Sequence, residues 1–97
     1  MTYTITLQDA PHDMGERARL EAEARFRKTL ERALGGEEAV APAYRAWQQA
    51  EESSESELSD TDITLARQWL TAAGRARSDG LHALGEGEAY FEVRLAR

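Results

Sequence analysis

Both ends of the chain carry short stretches in which apolar and polar residues alternate. Alternation with a period of two is typical of a strand that buries one face. The predicted strands cover residues 2–8 and 88–96. Their inward-facing residues are Tyr3, Ile5, Leu7, Phe91, Val93 and Leu95. Because the two patterns match, we expect the strands to pair with each other as a two-stranded antiparallel sheet.

Between the strands, apolar residues recur with the period of amphipathic helices, about 3.6 residues. The pattern predicts three helices, at about 13–34, 41–52 and 60–78. Trp69 and Leu70 both fall on the broad apolar face of the third helix. The predicted fold class is therefore α+β, in the order β-α-α-α-β, with the terminal sheet packed on three helices.

Residues at the predicted helix ends suit their positions. Asp13 is the expected N-cap of the first helix, and Ser59 or Asp60 that of the third. Gly35-Gly36 ends the first helix, because glycine readily takes the left-handed conformation beyond a helix end. The third helix is expected to end around Ser78.

A two-stranded sheet has two open edges, and an open edge invites pairing with another strand. Large apolar side chains are few in this chain, so its core is thin. A homodimer would bury more surface. We therefore expect a homodimer, with a four-stranded sheet across the two copies or a contact through the helices.

Composition and length narrow the class of protein. The 97 residues form one predicted domain, 1–97, and contain no cysteine, which excludes disulfides and thiolate chemistry. The net charge of −6 argues against direct nucleic-acid binding, because phosphates require a basic face. No apolar run is long enough for a membrane span, and no basic-then-apolar leader is visible. We expect a cytoplasmic protein without a membrane partner.

An acidic Ser/Glu stretch separates the second and third helices. Residues 51–59 are expected to form a mobile acidic loop, because 51–57 contain only glutamate and serine. A solvated loop is the preferred interpretation. The alternatives are contact with a basic partner, a divalent cation, or phosphorylation of its serines.

Catalytic motifs are not found. His12 and His82 have no second histidine at a metal-binding spacing, and no phosphate loop or nucleophile elbow occurs. Arg75 and Arg77 are expected to stabilise the end of the third helix, with anion binding as the alternative. We expect a protein that is not an enzyme, without catalytic residues, metal or cofactor.

The strongest functional candidates are aromatic and acidic residues. Tyrosine and tryptophan concentrate binding energy at protein interfaces, although core packing is the default role of aromatic residues on apolar helix faces. The candidate partner-binding residues are Leu20, Tyr44, Trp47, Trp69, Tyr90, Glu51, Glu52, Glu55 and Glu57. They favour a small regulatory protein that binds another protein. The alternatives are an acidic nucleic-acid mimic that inhibits a basic protein and a small-ligand-binding domain.

Overall fold

The structure is a computed structural model, and it describes residues 3–52, 58–82 and 88–96. Most of the predicted mobile acidic loop, including Glu55 and Glu57, lies outside the described residues. So does most of the segment that connects the third helix to the last strand.

Two strands and three long helices follow one another in the predicted order. They are β1 (Tyr3–Gln8), α1 (Glu16–Leu34), α2 (Val40–Glu52), α3 (Asp60–Leu81) and β2 (Tyr90–Leu95), with a short 3-10 turn, Glu37–Ala39, before α2. The strands pair antiparallel, from Tyr3 opposite Leu95 to Gln8 opposite Tyr90. The predicted α+β class, element order and strand pairing are confirmed. The four-stranded sheet of a homodimer stays a prediction.

The core lies between the inner face of the sheet and the three helices. α3 packs along both α1 and α2, whereas α1 and α2 share few contacts. Alanines dominate where the helices meet, which lets their backbones approach closely. The buried residues of the main cluster are Tyr3, Ile5, Phe26, Leu30, Val40, Ala43, Trp69, Ala72 and Ala76. No polar or charged residue of the described ranges is buried.

Tyr3 joins β1 to α1 through its polar tip. Its hydroxyl donates a hydrogen bond to Glu31, and the guanidinium of Arg27 lies 4.7 Å from the centre of its ring. Burial raises the pKa of the Tyr3 hydroxyl, and the hydrogen bond to the Glu31 carboxylate raises it further. The folded protein therefore holds this proton more tightly than the unfolded chain does.

Two of the predicted helix ends are confirmed and two are wrong. The Ser59 hydroxyl accepts from the Asp62 N–H at 3.1 Å, as an N-cap of α3 should. Gly35 is left-handed, with a φ of 97°, and ends α1. Asp13, however, does not cap α1, which begins at Glu16 after Gly15. A turn before the helix, in which the Met14 N–H donates to the Pro11 carbonyl, delays its start.

The predicted end of the third helix is also wrong, because α3 continues through Asp79-Gly80 to Leu81. Gly80 is buried against the ring of Phe91, and a Cβ built on it would lie 2.5 Å from Phe91 Cζ. The glycine is thus required for close approach and does not end the helix. Consequently Arg75 and Arg77 both lie outside the last turn, which contains no basic residue, and their expected role at the helix end is wrong.

Gly80→Ala should destabilise the protein by about 1–3 kcal/mol, because the new methyl group overlaps Phe91. Gly74→Ala is the matched control, since it lies in the same helix with no atom near its added Cβ. That change should stabilise the protein by about 0.5–1 kcal/mol through helix propensity. Urea unfolding measures both values. A gain of stability in Gly80→Ala would contradict the contact between α3 and β2.

Tyr3→Phe should cost about 1–3 kcal/mol at neutral pH, because it removes a hydrogen bond to a carboxylate. Since the pKa of Tyr3 is raised on folding, its contribution is fully present below pH 10. It is lost as the pH rises above that value, where the unfolded chain releases the proton first. Urea unfolding between neutral and strongly alkaline pH should show a flatter decline in Tyr3→Phe than in the wild type. The exposed Tyr90, changed to Phe, should keep the wild-type decline.

Candidate functional site

An apolar groove of about 390 Å³ runs along β2, where this strand faces α2 and α3. Most of its lining is aromatic or aliphatic, and its polar members lie at the rim. The lining residues that matter below are Tyr44, Trp47, Leu70, Tyr90, Phe91 and Val93. Across the described surface, this groove collects most of the aromatic candidates from the sequence.

Three aromatic rings shape the floor of the groove. Tyr44 meets Trp69 edge-on, with ring centres 5.1 Å apart and planes at 82°. Trp47 lies beside both, at 5.7 Å from Tyr44 and 6.4 Å from Trp69. Trp69 is only 4% exposed and belongs to the core, whereas the other two are half-buried. Among the three, Tyr44 and Trp47 are thus the rings that a partner could touch.

Trp47 also carries an unsatisfied polar group. Its indole N–H is buried and has no hydrogen-bond partner among the described residues. Leaving such a donor unpaired costs a folded protein about 1–3 kcal/mol.

Leu70 is 56% exposed at the groove, so its expected place in the core is wrong. Trp69 and Leu70 are consecutive, and consecutive helical residues point about 100° apart. Once Trp69 faces the core, Leu70 must point away from it. Tyr90, at 48% exposure, stands at the rim of the same groove. Leu20 is as exposed as Leu70, but it lies on α1 and lines no described part of the groove.

The two edges of the sheet differ. The Leu7 N–H donates to Glu23 Oε2 at 2.8 Å, so a side chain of α1 covers the edge of β1 at Leu7. Leu7 lies opposite Phe91, but its N–H bonds to Glu23 and not to Phe91, so this is a non-hydrogen-bonded pair. Because hydrogen-bonded and non-hydrogen-bonded pairs alternate in an antiparallel ladder, the odd-numbered residues of both strands direct their backbone groups away from the ladder. The backbone groups of Phe91 and Val93 therefore point to the outer edge of β2. No side-chain or loop hydrogen bond of the described residues occupies them.

The outer face of β2 carries one acid and one base. Arg94 Nε donates to Glu92 Oε1 at 2.8 Å, and Gln8 Nε2 donates to Glu92 Oε2 at 2.9 Å. The hydrogen bond from Arg94 lowers the pKa of Glu92. Both side chains are thus charged at neutral pH and lie beside the open edge.

A second surface is basic, which the overall charge conceals. Arg25, Lys28 and Arg32 recur at a helical spacing and line a depression of about 400 Å³ between α1 and the end of α3. His82 shares this depression with Asp79, whose carboxylate already accepts a hydrogen bond from Thr29 at 2.7 Å. The spacing of the three basic residues was visible in the sequence, but their position opposite α3 was not.

Another hollow, of about 700 Å³, lies near the start of α1. Half of its lining residues are alanine or glycine, such as Gly15, Ala18 and Gly80. It contains no aromatic side chain among its lining residues. Since interface energy concentrates in tryptophan, tyrosine and arginine, the groove beside β2, which contains Tyr44 and Trp47, is the stronger candidate.

No protein-family profile, curated protein or solved structure matches this chain. Within the described ranges, no helix has the length and apolar character that crossing a membrane requires. The same ranges contain no group of three or more acidic or histidine side chains suited to hold a metal ion.

Glu23→Ala should expose the covered edge of β1. Hydrogen exchange at the Leu7 amide should accelerate by about tenfold, which corresponds to the loss of one hydrogen bond. The amides of Thr6 and Glu92, which bond across the ladder, should keep their rates and serve as the internal control. An unchanged Leu7 amide would contradict the assignment of the two edges.

Proposed function

We propose that this chain is a small non-enzymatic regulatory protein that binds another protein through the groove beside β2. The observation that carries the proposal is the joint exposure of Leu70 and of the free β2 edge at one aromatic groove. Single exposed apolar residues are ordinary on protein surfaces. An exposed leucine, half-buried aromatic rings and unpaired backbone groups in one place are typical of an interface.

The shape of the groove suits a polypeptide segment. Its backbone edge can add a strand, and its apolar floor can receive the alternate side chains of that strand. A small-ligand site would instead place a few convergent polar groups inside an enclosed cavity. The groove is open and its lining is largely apolar, which favours a protein partner over a small molecule.

A second candidate function, the acidic nucleic-acid mimic, draws support from one end of the molecule. Glu51 and Glu52 end α2, and Asp60 and Asp62 lie in the first turn of α3. These acids are exposed or half-exposed and could meet a basic groove. A mimic complex would weaken steeply as salt rises, whereas a complex through the apolar groove would not.

Capture from a lysate of the source organism can separate the groove from the rest of the surface. Leu70→Asp should weaken recovery of the partner by at least about tenfold, because it places a charge in a desolvated contact. Leu20→Asp is the matched control, with the same exposure outside the groove. It should leave recovery unchanged.

Circular dichroism should show that both variants fold, and the captured complexes should be washed at increasing salt. Loss of the partner in Leu20→Asp but not in Leu70→Asp would show that the binding surface lies on α1 and not at the groove. Release of the partner by salt alone would favour the acidic mimic.

A further inference from the structure

We propose that the strand that adds to the free edge of β2 is β2 of a second copy of this chain. The two strands would run antiparallel about a two-fold axis through Val93 and form a four-stranded sheet, β1-β2-β2-β1. This inference rests on the proposed function, because it names the partner of the same groove.

The open edge of β2 can accept a strand only in certain registers. Phe91, Val93 and Leu95 direct their backbone groups outward, so the new hydrogen bonds must join odd-numbered residues of both copies. A shift by one residue would turn the apolar face of the second strand to solvent. The axis must therefore pass through a residue of the strand and not between two residues.

The charges on the outer face select one of the remaining registers. With the axis at Val93, each Glu92 lies opposite the Arg94 of the other copy. An axis at Glu92 would place the two Glu92 side chains opposite each other, and an axis at Arg94 would do so for the two arginines. Opposite charges across a strand pair stabilise it and like charges destabilise it. Only the register at Val93 forms two attractive pairs.

The inner face is also self-complementary in this register. Val93 meets its own copy at the axis, and each Phe91 lies opposite a Leu95 of the other copy. All three residues are half-buried in one copy, so each has apolar surface left to bury. The two grooves meet near the axis, and the exposed Leu70 of each copy becomes covered there.

Self-complementarity favours a second copy over an unrelated protein. A symmetric contact uses the same patch twice, so it requires a surface that complements itself. The segment Tyr90–Leu95 has this property in both its charges and its apolar residues. At the edge of β1, Glu23 already occupies the outward N–H of Leu7, so a strand added there would lack that hydrogen bond.

The test reverses one charge of the Glu92–Arg94 pair in each of two single variants, Glu92→Arg and Arg94→Glu. In a dimer of Glu92→Arg, two arginines face each other in each cross-strand pair, and in a dimer of Arg94→Glu two glutamates do. Sedimentation equilibrium should show a dimer for the wild type and, in each single variant, dimerisation at least about tenfold weaker. An equimolar mixture of the two variants should form a heterodimer. One of its cross-strand pairs joins the unchanged Arg94 of the first variant to the unchanged Glu92 of the second. The other pair joins the two substituted positions, which again carry opposite charges. Neither variant alone can form a pair of opposite charges at these positions.

The mixture is the decisive arm. Both variants lose the contact between Glu92 and Arg94 within one chain, and mixing cannot restore it. A merely structural role of this contact therefore predicts that the mixture stays as weak as its components. Hydrogen exchange gives a second readout, because the Phe91 and Val93 amides should slow as the wild-type concentration rises.

Three outcomes would overturn the inference: a monomeric wild type, a dimer that no charge change affects, or a mixture that remains monomeric. Capture with the Leu70→Asp and Leu20→Asp variants distinguishes failure of the dimer proposal from failure of the proposed function. If the wild type is a monomer and Leu70→Asp still abolishes capture of a different protein, the groove binds that protein and the proposed function holds without the second copy.

Discussion

The position of β2 depends on a contact at one ring, that of Phe91. This ring stacks on Phe26 of α1 at 4.5 Å, with planes 26° apart, and it lies against the bare backbone of Gly80 in α3. The contact joins both helices to the last strand, and few other contacts hold β2 to α3. The sheet can close on the helices because position 80 has no side chain. The groove depends on this arrangement, since β2 forms one of its walls.

The same arrangement makes the two strands unequal. The three inward residues of β1 are all buried, and Glu23 accepts a hydrogen bond from the outward N–H of Leu7. β2 is held by Phe91 and by its ladder with β1, and the rest of its inner face is half-buried. Proteins usually protect the edges of their sheets with charges, bulges or covering elements. An edge left open beside an apolar floor is therefore informative about function.

Much of the fold could be predicted because it depends on local periodicity. Strict alternation at both ends fixes which side of each strand is buried, and two matching strands have each other as the simplest partner. The errors arise where one residue type has two uses. Asp13 has the chemistry of a cap, but the turn before the helix sets the start of α1. Gly80 resembles a helix end, but its conformation is helical and its role is to admit Phe91.

The site was less predictable than the fold. The pattern placed Tyr44, Trp47 and Trp69 on apolar faces, and this is where they lie. Which ring is covered depends on how α2 crosses α3, and a helical period cannot reveal that. Leu70 is the clearest example, because its neighbour Trp69 takes the core position and leaves it exposed. The sequence likewise could not show which backbone groups of β2 face outward, because that was inferred from the hydrogen bond between Leu7 of β1 and Glu23 of α1.

Net charge by itself opposes association between copies, since each carries −6. The relevant charge, however, is the one near the contact. The strand Tyr90–Leu95 contains one acid and one base and is neutral as a segment. Glu51 and Glu52 end α2 and Asp60 begins α3, so these acids are not part of this strand. At physiological ionic strength, charges farther apart than about 8 Å are largely screened in solvent. In the proposed dimer, the local pairing of Glu92 with Arg94 would therefore have more influence than the overall charge.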